Sequence, residues 1–200
     1  MQWKRTSVLA VAIACLLMAN SDAMAGKFNK TVDVGDDAPE WSGLKGCDGD
    51  TYNLKDFVEA NKATVVVFTC NSCPVAVACE ERIIELQKDY EEKGVQVVAV
   101  SVQDDLADMK DRAMSQGFNF PYVLDESQES ARAFGASRTP ELFVVDGKGK
   151  IAYMGLMDDS PLNAAKVEKT YLRDALDAVL VGKAPEVTET KASGCGIGYK

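Results

Sequence analysis

Residues 63–83 read ATVVVFTCNSCPVAVACEERI, and this stretch decides the fold. Ala63 to Phe68 is a continuous apolar, β-branched run, the composition of a strand buried on both faces and therefore central in a sheet. Cys70 and Cys73 follow at once. Pro74 suits the first turn of a helix, where a missing N–H costs nothing. Beyond it Ala76, Cys79, Ile83, Leu86 and Tyr90 recur three or four residues apart and make one apolar stripe. The strand therefore delivers two cysteines to a helix N-terminus, where unpaired N–H groups and the helix dipole favour the thiolate that attacks disulfides. The two-residue spacer lets Cys73 reach a mixed disulfide formed at Cys70 and release the bound partner.

Other chemistries of a Cys-x-x-Cys pair fare worse. The chain has no histidine, which removes Ser-His-Asp and Cys-His nucleophiles, His-ligated zinc or copper, and His-ligated haem. A structural zinc site needs four ligands, and no second Cys-x-x-Cys is present. Haem attachment would need histidine where Pro74 stands. An inert disulfide staple remains, but a strand-to-helix junction is poor for a staple and good for exchange. No metal ligands are expected. The net charge of −9, without a basic block, argues against nucleic acid and anionic membrane as partners.

Working outward, the spacing predicts an α/β fold, a mixed central sheet with helices on both faces. Asp48-Gly49 signals a hairpin turn before the short apolar piece Tyr52 to Phe57. Gly94 ends the first long helix, and Val95 to Val102 is a second buried strand. Asp104 is placed to cap a helix with Leu106, Met109 and Ala113 inward, stopped at Gly117. A strand at 121–124, a brief helix between Asp125 and Phe134, and a strand at 142–145 follow. Asp146-Gly147-Lys148-Gly149 turns the chain into a strand at 151–154. Thr139-Pro140 stands at a strand mouth, a common boundary position. A last helix is expected over 164–180, with Gly182 as its stop. Residues 186–200 lack periodicity and read as a mobile tail carrying Cys195.

The first twenty-five residues have an export layout. Lys4 and Arg5 precede an uncharged stretch from Val8 to Met18, and Ala23-Met24-Ala25 offers a cleavage site. The expected organisation is a signal peptide over 1–25, one domain over 26–184 and the tail over 185–200. The expected location is outside the cytoplasm, in a bacterial periplasm, with no stable membrane insertion after cleavage. Thiols there work where disulfides persist.

The phrases GDDAPEW (35–41), DGDTYNLKDF (48–57), FTCNSCPVAVACEERI (68–83), FPYVLDESQESARAFGASRTPELFVVD (120–146) and GCGIGYK (194–200) carry a resemblance. They resemble, in order, the bacterial redoxin branch of the thioredoxin superfamily, with alkyl hydroperoxide reductase and thiol-specific antioxidant domains. The resemblance implies a thioredoxin-like three-layer fold, with Cys70 as attacking thiol, Cys73 as resolving thiol and Pro140 as a cis-proline. Thr139 would then offer its N–H and C=O to an extended substrate. Substrates would be protein thiols and disulfides, supplied with electrons by a donor the sequence does not identify, and the resemblance implies no bound cofactor. Thr69 stands where thioredoxins proper carry tryptophan, and Asn71-Ser72 replaces Gly-Pro, so partner and potential do not transfer.

Two alternatives stay open. A peroxidase would set proline, then a hydroxyl residue, then cysteine, but Val66 and Cys70 occupy those places relative to Cys73. Ala63 and Val67 occupy them relative to Cys70. A Cu(I) or partner-binding module would use two thiolates near a surface. Of the other cysteines, Cys79 lies on the apolar stripe as a small buried hydrophobe, and Cys47 sits in the hairpin turn, expected to be exposed. Cys195 is a candidate additional redox thiol, because the residues after the last helix could span about 40 Å when extended. Its expected partner is Cys70 or Cys47, the rival reading being a free thiol. Glu80, Glu81 and Glu85 are expected on the wet face of their helix.

Overall fold

The computed structural model describes residues 26–200. The expected signal peptide lies outside the described residues. The strands are β1 (Leu44–Gly46), β2 (Thr51–Tyr52), β3 (Ala63–Thr69), β4 (Val95–Ser101), β5 (Tyr122–Leu124), β6 (Arg138–Thr139), β7 (Glu141–Asp146), β8 (Ile151–Gly155) and β9 (Cys195–Gly196). The helices are α1 (Leu54–Ala60), α2 (Pro74–Tyr90), α3 (Leu106–Gln116), α4 (Glu129–Phe134) and α5 (Tyr171–Leu180). The large sheet has the order β2-β1-β5-β4-β3-β7-β8, and β6 and β9 form a separate two-stranded ribbon.

The apolar run at 63–68 is central, as its composition predicts. It pairs parallel with β4, Val66 beside Val98, and antiparallel with β7, Val66 beside Phe143. Side chains alternate across a strand, so one continuous run feeds two cores. Ala63, Val65 and Val67 meet α2, α3 and α5 through Ile83, Leu86, Met109, Leu172 and Leu176. Val66 and Phe68 meet α1 and α4 through Leu54, Ala131 and Phe134, with Trp41 alongside. This is the expected mixed sheet between two helical layers. Among the described residues no helix is long and apolar enough to cross a membrane.

Four expectations change. The last helix begins at Tyr171, and residues 164–166 form one separate tight turn. The Asp159 carboxylate accepts the N–H groups of Glu168 and Lys169 at 2.9 and 3.1 Å, holding that segment in a loop. Glu80 is not on a wet face: α3 crosses over it, and Arg112 donates to both its carboxylate oxygens at 3.0 and 2.6 Å. Glu81 and Glu85 are exposed as expected. Cys47 is half-buried against the α2 side of the core.

The tail is the fourth. It runs back along β8, where Met154 N–H donates to Thr188 O and Thr190 N–H donates to Met154 O. It then ends in β9. Its anchors are backbone groups and the side chains of distant residues, and such contacts leave no periodicity in the tail's own sequence.

Candidate active site

The site is built where β3 ends and α2 begins. Cys73 is the N-cap of α2, its Sγ accepting the Ala76 N–H at 3.5 Å, and Pro74 opens the helix. A thiol thus occupies the place that Ser or Asp usually takes at a helix start. Thr139–Pro140 is a cis peptide bond, and Thr139 meets both sulfurs. Cys70 Sγ lies 3.4 Å from Thr139 Oγ1, and the Cys73 thiol donates to the Thr139 carbonyl at 2.9 Å. Ser72 Oγ and Gln103 Nε2 approach Cys70 Sγ at 3.7 and 3.8 Å. Cys70 and Cys73 are 2% and 1% exposed.

Asp104, read from the sequence as a helix cap, belongs to this site instead. Asp105 caps α3, accepting the Ala107 and Asp108 N–H groups at 3.0 and 2.9 Å. The Asp104 carboxylate turns the other way and accepts the N–H of Asn71 at 2.9 Å and the hydroxyl of Ser101 at 2.7 Å. The Tyr122 hydroxyl lies 2.9 Å from Asn71 Oδ1 and 3.1 Å from Asp104 Oδ2, so its single proton is shared between them. Burial, and then the Asp104 charge, keep that phenol protonated far above its ordinary range. Asp104 and Tyr122 therefore fix the spacer between the cysteines. Two adjacent aspartates after a buried strand were the available signal, but they do not say which one caps.

The C-terminal strand covers the pair. β9 runs antiparallel to β6, placing Cys195 opposite Thr139 and Gly196 opposite Arg138. Arg138 Nη1 donates to Gly194 O at 3.0 Å, and Ile197 N–H donates to Ser137 O at 3.1 Å. Gly198 N–H donates to Gln103 Oε1 at 2.8 Å, and Gln128 bonds Gly198 O and Lys200 N–H at 3.1 and 2.8 Å. Arg132 stacks over the Tyr199 ring at 4.5 Å. A Cβ at Gly194 would stand 2.1 Å from Thr139 O, so only glycine permits this approach. Cys195, half-buried, packs against Cys70, Cys73 and Ala76. The structure thus gathers three thiols and leaves Cys47 and Cys79 in another cluster.

Burial alone would raise the Cys73 pKa, but the Cys195 thiol and N–H, Thr139 and the Ala76 N–H outweigh it and hold Cys73 below its ordinary value. Contact with the Cys73 sulfur, and then burial, push Cys195 up to about 11. Of these two thiols Cys73 loses its proton first, and the bond from its thiol to the Thr139 carbonyl exists only while that proton remains. Burial pushes Cys79 up to about 11. In an ultraviolet titration of the reduced protein, thiolate absorbance should therefore appear at lower pH than in Cys73→Ser, and Cys79→Ser should leave that early absorbance in place. A thiol whose folded pKa is depressed stabilises the fold fully above its unfolded pKa and loses that contribution as pH falls through the folded value. The Cys73 contribution should therefore grow up to about pH 8.5. Identical titration curves for the unsubstituted chain and Cys73→Ser would contradict this assignment.

Residues 34–154 match the model of the AhpC/TSA family. The chain belongs to this family. Like the rest of the redoxin branch, this AhpC/TSA chain is a member of the thioredoxin superfamily. It is 28% identical over 162 residues to "Thiol-disulfide oxidoreductase ResA" of Bacillus subtilis (strain 168), covering 80% of this chain and 88% of that one. A crystal structure of an uncharacterized conserved protein from Geobacillus kaustophilus superposes with TM-score 0.78 at 36% identity, over 84% of this chain and 93% of the other. One of a hypothetical protein from Sinorhizobium meliloti 1021 gives TM-score 0.78 at 32% identity, over 86% and 97%. The AhpC/TSA match ends before the tail, so β9 lies outside it.

Proposed function

We propose that this AhpC/TSA member is an exported thiol–disulfide oxidoreductase that exchanges electrons with protein thiols through Cys70 and Cys73. The convergence of both sulfurs on Thr139, beside the cis bond to Pro140, is the observation that carries this reading. The resemblance to a curated thiol–disulfide oxidoreductase supports it. Cys70 as thiolate attacks one sulfur of a substrate disulfide; a new S–S bond forms and the other substrate sulfur leaves as thiolate. Cys73 then attacks Cys70 Sγ, the first substrate sulfur leaves, and a Cys70–Cys73 disulfide remains for an external dithiol to reduce. The Ala76 N–H at the helix start and the Thr139 contact favour the Cys73 thiolate that this second step needs. Thr139 and Pro140 set the backbone against which an extended substrate segment pairs. Export directed by residues 1–25 would place this chemistry where disulfides persist.

The test uses protein recovered from a bacterial periplasmic fraction, whose intact mass should correspond to a chain starting at Gly26. With dithiothreitol as donor, it should accelerate the reduction of insulin disulfides, and Cys70→Ser should abolish the acceleration. Absence of acceleration, or Cys70-dependent consumption of hydrogen peroxide in its place, would overturn the reading.

A further inference from the structure

The function proposed above uses two thiols, and the structure packs a third against them. We infer that Cys195 is a third redox-active thiol whose disulfide partner is Cys73, so that strand β9 can close covalently over the catalytic pair. The inference rests on that reading of the pair and deepens it by assigning the tail a step in the cycle.

Three observations carry it. Register places Cys195 opposite Thr139, the residue whose carbonyl accepts the Cys73 thiol, so one residue positions both sulfurs. Cys195 is packed in the cluster of Cys70, Cys73 and Ala76. The approach is built in at Gly194, against the Thr139 carbonyl, and secured on the far side by Gln103 and Gln128. A tail held this way gives Cys195 a far higher effective concentration at Cys73 than a free tail would. Cys47 belongs to a different cluster, on the α2 side of the sheet, so the geometry assigns Cys73 as the partner in place of Cys70 or Cys47.

The step is an exchange within one chain. The Cys195 thiolate attacks Cys73 Sγ of the Cys70–Cys73 disulfide and a Cys73–Cys195 bond forms. The bond between Cys70 and Cys73 breaks, its electron pair leaves on Cys70 Sγ, and Cys70 takes up the proton that Cys195 gave up. The number of disulfides is unchanged, and no outside oxidant or reductant is consumed. Because β9 already pairs with β6, it fills the backbone edge beside Thr139 that an extended substrate would use. The docked tail is thus a strand in the substrate's place, and substrate entry requires it to leave.

Reduced full-length protein treated with one equivalent of diamide, then mapped by non-reducing peptide analysis, tests this. In Cys70→Ser the Cys73–Cys195 disulfide should exceed any other intramolecular link at least tenfold. Adding Gly194→Val, which disrupts the docking, should slow its formation about tenfold. Cys195 remaining alkylatable in Cys70→Ser, linking to Cys47, or forming its bond at an unchanged rate with Gly194→Val would each overturn the inference. Circular dichroism checks folding, and Cys70→Ala serves if Cys70→Ser is misfolded. The parent reading fails separately: insulin reduction absent while Cys73–Cys195 still forms would sink the oxidoreductase assignment alone. Insulin reduction with Cys195 always free would sink only the tail step.

Discussion

A Cys73→Ser chain mixed with a disulfide-bearing protein is expected to accumulate as a mixed disulfide through Cys70, with turnover down on the order of a thousandfold. The first exchange needs only Cys70, which keeps its contacts with Thr139 Oγ1 and Gln103 Nε2 in this variant. The second exchange needs a thiolate within reach of Cys70, and a serine hydroxyl at 73 is not an adequate nucleophile for sulfur at neutral pH. The covalent complex should be visible on a non-reducing gel, disappear with dithiothreitol, and yield a Cys70 adduct on peptide mapping. Adducts through Cys79 or Cys47, or free turnover in Cys73→Ser, would be incompatible with the proposed order of attack.

Phe134→Ala should cost about 4 kcal/mol of unfolding free energy. The ring is fully buried between the sheet and the N-terminal segment, with centroids 5.9 Å from Trp41, 5.4 Å from Phe68 and 5.1 Å from Phe143. Three aromatic neighbours lose their common partner at once, and a sheet face anchored by β3 and β7 cannot collapse far enough to fill the cavity. The backbone of Phe134 adds a reason for rigidity, since its carbonyl accepts the buried Asn29 Nδ2 at 2.7 Å. Urea unfolding followed by circular dichroism measures the effect. Met114→Ala, at a side chain 72% exposed, is the control and should change stability little. A Phe134→Ala loss below about 1 kcal/mol would mean that this core repacks freely.

What the sequence disclosed follows from how each contact writes itself into the chain. The apolar run at 63–68 and the stripe at 76, 79, 83, 86 and 90 reflect burial against a sheet or a helix face, which imposes a period. The thiol pair before Pro74 is local chemistry and could be read directly. Asp104 and Asp105 are chemically alike and adjacent, and only the fold decides that one caps α3 while the other holds Asn71 and Tyr122. Glu80 looked solvated because its partner, Arg112, is 32 residues away. The turn at 164–166 was joined to α5 because helical spacing continues across a loop that Asp159 organises from outside it. Cys195 was within reach on chain length alone, but its pairing with Thr139 is a long-range backbone contact that leaves no periodicity.

The path of the tail along β8 bears on solubility as well. β8 is an outer strand of the large sheet, and outside that sheet it is the segment around Glu189 that bridges to Met154. An outer strand with free amide and carbonyl groups is a template for another chain. The residues that bring Cys195 to the thiols therefore also shield a sticky border. Proteolytic loss of everything after Pro185 would bare the sulfurs and the Met154 part of that border together, the Ile151 part staying paired with Gly35 and Asp36, and would join loss of control over the site to a tendency to aggregate.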